Sequence, residues 1–264
     1  MFQIAIFRSV TLHKLLLAVL AIFTVGCSQF QKEQGLAGSY EGPPVSVGKG
    51  EARAYVRLDE QGKVTTLGIL MSEDALDGLP EQVSHGAVEY LLTLPPEAKA
   101  GGYDHVSVEW NPQGHIPPGV YDVPHFDFHF YLIDGKARSA ITATGEDLAR
   151  AHRQPEPSHM PVDYVLPEGT EVPNMGAHAI DPGGDEFNGK PFSQTFIYGF
   201  YDGRIIFMEP MMTLAFLQSR PSVSTPVKQP QIYSPDFAYP AFYGTYYDAD
   251  KKRYRITLDG LSMH

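Results

Sequence analysis

Apolar and polar residues alternate along most of this chain, and the alternation predicts strands far more often than helices. "ARAYVRLDEQGKVTTLGILM" (52–71) alternates twice around Glu60-Gln61-Gly62, the pattern of a hairpin. "VEYLLTLP" and "HVSVEW" are further strand candidates. "QTFIYGFYDGRIIFME" (194–209) is the strongest hairpin, because Asp202-Gly203 suits the positive φ angles of a two-residue type I′ turn. "AFYGTYYDADKKRYRITLDG" reads as a closing hairpin turned at "DADKK". Helical signals are short: "EDALDGLP", "GEDLARAHR" and one or two turns in "PMMTLAFLQ". Between them run proline-rich segments, "NPQGHIPPGVYDVP" (111–124), most of 153–193, and an extended 219–240. The expected fold is mainly β: a single antiparallel β-sandwich or barrel-like domain with long Pro-rich loops and a few short helices.

One strand carries chemistry. In "VPHFDFHFYL" (123–132), His125, Asp127, His129 and Tyr131 occupy one face, and Pro124, Phe126, Phe128, Phe130 and Leu132 the other. The aromatic face must be core. The polar face looks into water or into a lined cavity. Cα atoms two apart on a strand lie ~6.7 Å from each other and four apart ~13 Å, whereas metal–nitrogen bonds are only ~2 Å. Neighbours such as His125 and Asp127 can therefore share an ion easily. His125 and His129 can share one only if the strand bends or the side chains lean together. Two of the three are expected to bind directly, and the third to ligate or to fix an imidazole tautomer.

Two distant residues can complete a site. His178 lies in "NMGAHAIDPGG", between glycines, and reads as a loop residue. Glu209 ends the second strand of the Asp202-Gly203 hairpin. An unbroken register pairs Phe196 with Glu209, which places that carboxylate among Phe196, Tyr198, Phe200, Ile205 and Phe207. A carboxylate so placed must be paired, bound to a cation or protonated. His115, in the proline loop, and Tyr131, as a substrate-orienting group, form a second tier. His85, His105, His152, His159 and His264 have no pattern around them.

The N-terminus changes where this chemistry would operate. Arg8 and Lys14 precede "LLLAVLAIFTVG", which is followed by Cys27. Residues 1–26 read as a lipoprotein signal peptide, with Cys27 the lipidation site in a lipobox-like "TVGC". Residues 27–45 read as a flexible tether and 46–264 as the single β-rich domain. The expected location is the bacterial cell envelope, lipid-anchored and facing the periplasm or exterior, with the membrane as a partner through that lipid. Cys27 is the only cysteine, so no metal site can use thiolate and no intramolecular disulfide forms. Removing 1–26 deletes two cations and no acid, which takes the net charge from −11 to −13. That charge disfavours nucleic acid, whose phosphates need Lys and Arg.

GxSxG, GxxxxGK[ST], HExxH and GxGxxG are absent, so serine-nucleophile, nucleotide-cofactor and zincin readings lack support. His and carboxylate ligands suit Zn, Fe, Mn or Cu as a divalent transition metal. A metal-dependent hydrolase or lyase would hold the ion through His125, Asp127, His129, His178 and Glu209, with Glu209 or Asp127 as general base. The alternative is a non-catalytic envelope protein that binds a ligand or assembles, whose His/Asp strand is a structural polar network. Fifteen Tyr and fifteen Phe suit a large core or an aromatic surface for a small-molecule ligand. Homo-oligomerisation is left open.

The blocks "NPQGHIPPGVYDVPHFDFHFY", "VPNMGAHAID" and "FIYGFYDGRIIFMEPMMT" resemble the TTHB-two-ten-like family of exported bacterial proteins over roughly residues 46–260. The family's defining positions fall on His115, His125, Asp127, His129, His178 and Glu209. Ala179 departs from the family, where an aromatic residue is common. The resemblance implies a single extracytoplasmic β-rich domain and no particular reaction.

Overall fold

The computed structural model describes residues 37–84 and 86–264. The segment read as a signal peptide, Cys27 and His85 lie outside the described residues. Among the described residues, fourteen strands form two antiparallel sheets of seven. The first sheet contains β1 (Gly38–Glu41), β2 (Val45–Val47), β3 (Gly50–Leu58), β4 (Val64–Ser72), β12 (Ser222–Pro226), β13 (Phe242–Asp248) and β14 (Arg253–Asp259). Its order is β1-β3-β4-β14-β13-β12, with β2 also on β3. The second contains β5 (Val88–Leu92), β6 (His105–Asn111), β7 (His125–Tyr131), β8 (Glu171–Val172), β9 (Gly176–Ala179), β10 (Gln194–Tyr201) and β11 (Arg204–Thr213). Its order is β5-β6-β7-β11-β10-β9-β8. Strand β1 therefore lies inside the segment read as a tether. Gly38–Glu41 pair with Tyr55–Leu58, which satisfies backbone groups that a free linker would leave to water.

The inner faces of the two sheets share one core. Ala54, Ile69, Ile256 and Leu258 from the first belong to the same apolar cluster as Phe126, Phe128, Phe130, Met208 and Met212 from the second. The Phe196 and Tyr243 rings meet across it at 5.2 Å. Burying a side chain of this size contributes roughly 1.5–3 kcal/mol. The phenylalanines of β7 thus do what their alternation predicts.

Much of the other face of the second sheet is buried as well, under loops, including every outward residue of β7. Three short helices, α1 (Gly135–Ser139), α2 (Gly145–Ala151) and α3 (Leu214–Gln218), punctuate the long connections. Two small apolar clusters pin the covering segments to this outer face. Tyr121 and Phe192 pack with Ile197 and Met211, and Ile141 packs with Tyr131, Ile206 and Phe207.

The β10–β11 hairpin turns at Asp202 (φ 55°) and Gly203 (φ 75°), as the Asp-Gly pair predicts. Its register then departs from the unbroken one. Phe200 pairs with Ile205, but Gly199 pairs with Phe207 and Ile197 with Glu209. One extra residue on β11 makes a bulge, and every later side chain on that strand changes face. Ile205 still packs into the inner core, while Ile206 and Phe207 both lie outside it. Glu209 consequently leaves the face of Phe196, Tyr198 and Phe200 and joins that of Ile197 and Met211. Gly199 makes room for this arrangement, since a Cβ there would stand 2.1 Å from the Phe207 ring.

Candidate metal centre

The outer face of the second sheet gathers every candidate ligand, and it sorts them into two sets. His115, His125 and Asp127 form one, and His129, His178 and Glu209 the other. Within each set one donor atom per residue lies within 4.8 Å of the others. The HxDxH strand is thus divided: His125 and Asp127 cooperate, and His129 turns to partners from β9 and β11. This follows from strand geometry: His125 and His129 are four positions apart on β7, ~13 Å between Cα atoms, too far to share an ion.

In the second set, His129 Nε2 stands 3.5 Å from Glu209 Oε1, and His178 Nε2 stands 3.9 Å from Glu209 Oε2. His178 Nδ1 faces the Thr170 carbonyl at 2.8 Å. A carbonyl only accepts, so Nδ1 carries the hydrogen and donates it, leaving the Nε2 lone pair aimed at Glu209. His178 is not on a loop, as its flanking glycines suggest. It lies on β9, opposite Gly199 of β10, and this pairing sets its distance to Glu209. The Phe207 ring packs against both imidazoles, at 5.0 Å from His129 and 5.4 Å from His178.

The first set is built alike. His125 Nδ1 donates to the Val123 carbonyl at 2.7 Å, and His115 Nδ1 donates to the Ile116 carbonyl at 2.8 Å. Their Nε2 atoms therefore point at Asp127: His125 Nε2 is 3.1 Å from Oδ1, and His115 Nε2 is 3.3 Å from Oδ2. Asn111 Nδ2 donates to Oδ2 at 2.8 Å and fixes the carboxylate. The His125–Asp127 approach is close but not aligned as a hydrogen bond.

Two ligand atoms that share an ion at ~2.1 Å stand roughly 3.0–3.5 Å apart. The closest donor pairs, at 3.1–3.5 Å, match that spacing. Burial sharpens the case. His125 is 0% exposed, His129 1%, Glu209 2% and Asp127 3%. Yet among the described residues His125 Nε2, Asp127 Oδ1, both His129 ring nitrogens and Glu209 Oε2 have no hydrogen-bond partner. Such atoms are costly to bury unsatisfied. An ion in each set would satisfy four of the five, leaving one His129 nitrogen.

Electrostatics separate the sets. Burial drives His129 down to about 3 and also lowers His178, so both imidazoles are neutral and suited to ligate. Burial pushes Glu209 well above the usual carboxylate range, and Asp127 and Glu109 add to it. Burial would raise Asp127 too, but the adjacent His125 and His115 outweigh it and hold that carboxyl well below its ordinary value. A bound cation would dominate each of these balances.

Both sets border one cavity of about 880 Å³, lined by His115, Asp127, His129, His178 and Glu209. His125 reaches Asp127 from behind. Tyr131 does not take the expected substrate-orienting position. It is fully buried, stacked on His129 at 5.5 Å and on His105 at 4.6 Å, with the Arg138 guanidinium 4.3 Å from its ring centre. Its role is to hold the His129 ring.

Glu109, which sequence reasoning did not single out, also lines the cavity, as does Asn111. Burial first, then Asp127 and Glu89, raise the Glu109 carboxyl to about 8. A signal existed: "HVSVEWN" alternates His105, Ser107, Glu109 and Asn111 against Val106, Val108 and Trp110, the same two-faced pattern as β7. Glu109 pairs with Asp127 and Asn111 with His125 across the strands.

Residues 59–110 match the TTHB210-like family, described as "Hypothetical protein TTHB210". That match runs from the end of β3 to Trp110. It includes Glu109 and stops short of all six candidate ligands. No curated protein and no solved structure matches the chain.

Proposed function

We propose that this chain is an envelope-anchored, metal-dependent hydrolase or lyase whose catalytic ion is held by His129, His178 and Glu209. The observation that carries the reading is the convergence of three donors on the wall of a cavity: His129 and Glu209, both buried with unpartnered atoms, and the partly buried His178. Two histidines and one glutamate form a known type of catalytic zinc set, which leaves a position open for water. The ion would supply Lewis acidity and lower the pKa of that water. His178 and His129 contribute neutral lone pairs, aimed by Thr170 and by the Tyr131 and Phe207 rings. Fe, Mn or Cu would suit the same donors.

The cavity falls within the usual size of small-molecule sites. Ile116, Pro117, Pro118, Ile180 and Met211 line it, with Glu89, Glu109 and Glu168, and no Lys or Arg does among the described residues. That lining favours a neutral substrate with an apolar body over a phosphate or carboxylate. The "TVGC" segment supports lipidation at Cys27 and an envelope location.

The deciding experiment is elemental analysis of protein purified without chelators, with Glu209→Ala in parallel. Stoichiometric metal in the wild type, reduced in the variant, supports the reading. Metal-free protein whose melting temperature ignores Zn²⁺, Mn²⁺ and Cu²⁺ rejects it. That outcome would favour the non-catalytic alternative, which has one observation behind it: Asp127 is already engaged by Asn111 and His115 in a polar network.

A further inference from the structure

We propose that His115, His125 and Asp127 form a second, independent metal site, so that the cavity holds two ions. This rests on the first ion being present in the Glu209 set, and it adds a site of separate residues.

Three observations lead here. The Nδ1 hydrogens of His115 and His125 are both committed to backbone carbonyls, so two Nε2 atoms point at one carboxylate. His115 Nε2 is aligned for a hydrogen bond to Asp127 Oδ2 at 3.3 Å, so a proton there satisfies that pair. His125 differs: neutral, it turns a lone pair on Oδ1 at 3.1 Å, which is repulsive unless a cation lies between them, and charged, it would be a wholly buried cation with its ring centre 4.6 Å from that of His115. The second observation is the poor alignment of the shortest contact. His125 Nε2 and Asp127 Oδ1 are close, fully buried and unpartnered. Two ligands converging on a third atom show this geometry, and two partners of one hydrogen bond do not. The third is Asn111, which binds Asp127 Oδ2 and so orients Oδ1 toward His125, as an outer partner orients a metal-ligating carboxylate.

The two sets repeat one donor composition, two histidines and one carboxylate. They also share a strand: Asp127 and His129 are two positions apart on one face of β7, ~6.7 Å between Cα atoms. One small substrate in the cavity could touch both ions. The ion at Glu209 would activate water, and the ion at Asp127 would polarise the substrate oxygen that receives charge. His115, partly exposed at the cavity rim, gives the second site an open side.

The test is zinc loading of the full chain followed by desalting and elemental analysis. Two Zn²⁺ per wild-type chain are expected, one in His125→Ala, one in Glu209→Ala, and none in the double variant. Because His125 is wholly buried, His115→Ala serves as the second variant. It removes a ligand at the rim and is expected to weaken one zinc at least tenfold in a Zn²⁺ titration, while leaving circular dichroism unchanged. One zinc per wild-type chain, retained in His115→Ala and lost in Glu209→Ala, overturns this inference and leaves the catalytic site standing. No zinc in the wild type overturns both.

Discussion

The two sheets have the same strand count and the same antiparallel pairing, and their outer faces differ in what they carry and how they are covered. The first sheet shows water what an antiparallel sheet usually shows. Arg53, Arg57, Arg255 and Tyr246 line its outside, with Arg255 packed over the Tyr246 ring at 5.1 Å. The second sheet is covered on both sides, and all seven residues of β7 are buried. One side of β7 is phenylalanine against the partner sheet. The other is histidine and aspartate beneath loops. A polar face is ordinary when solvated, but when roofed over its donors and acceptors need partners. Where the partners are missing, a ligand is the physical solution.

The comparison can be broken at four places. Phe128→Ala, on the dry side of β7, is expected to cost about 3–5 kcal/mol in urea unfolding without changing metal stoichiometry of the folded protein. A small cost would mean the inner core is not where the stability lies. On the wet side, Zn²⁺ at a hundredfold excess over its Kd is expected to add about 2.7 kcal/mol per site, reversed by EDTA. Between the two, Gly199→Val drives a side chain into the space of the Phe207 ring. A loss of about 1–3 kcal/mol is expected, together with weaker zinc binding at His129 and His178, both of which that ring supports. Unchanged binding would show that Phe207 does not position them. Arg57→Ala, on the solvated face of the first sheet, is expected to stay within about 0.5 kcal/mol of wild type and to leave metal binding alone.

Much of this was legible along the chain. The alternation in "HFDFHFY" separates core from site at each position, and Asp202-Gly203 marks its turn. Within the long hairpin, however, the position of Glu209 was misread. No local residue pattern marks Ile206 as the extra residue, because isoleucine is equally at home in a regular strand. The bulge shows only when Phe207 needs the space opposite Gly199. His178 was misread for a related reason. Its glycines suggest a loop, and only pairing with β10 makes it a strand. Glu109 and Asn111 carried a readable alternation whose meaning depended on lying beside β7.

The amino-acid order alone determined the β class, the core face of β7 and the kinds of donor atom on its other face, because side-chain parity and residue chemistry are local. Tertiary structure decided which donors meet: the bulge that brings Glu209 outward, the β9–β10 pairing that delivers His178 and the proline loop that returns His115 to Asp127. Those groupings depend on register and on loop paths over tens of residues, which no local pattern encodes.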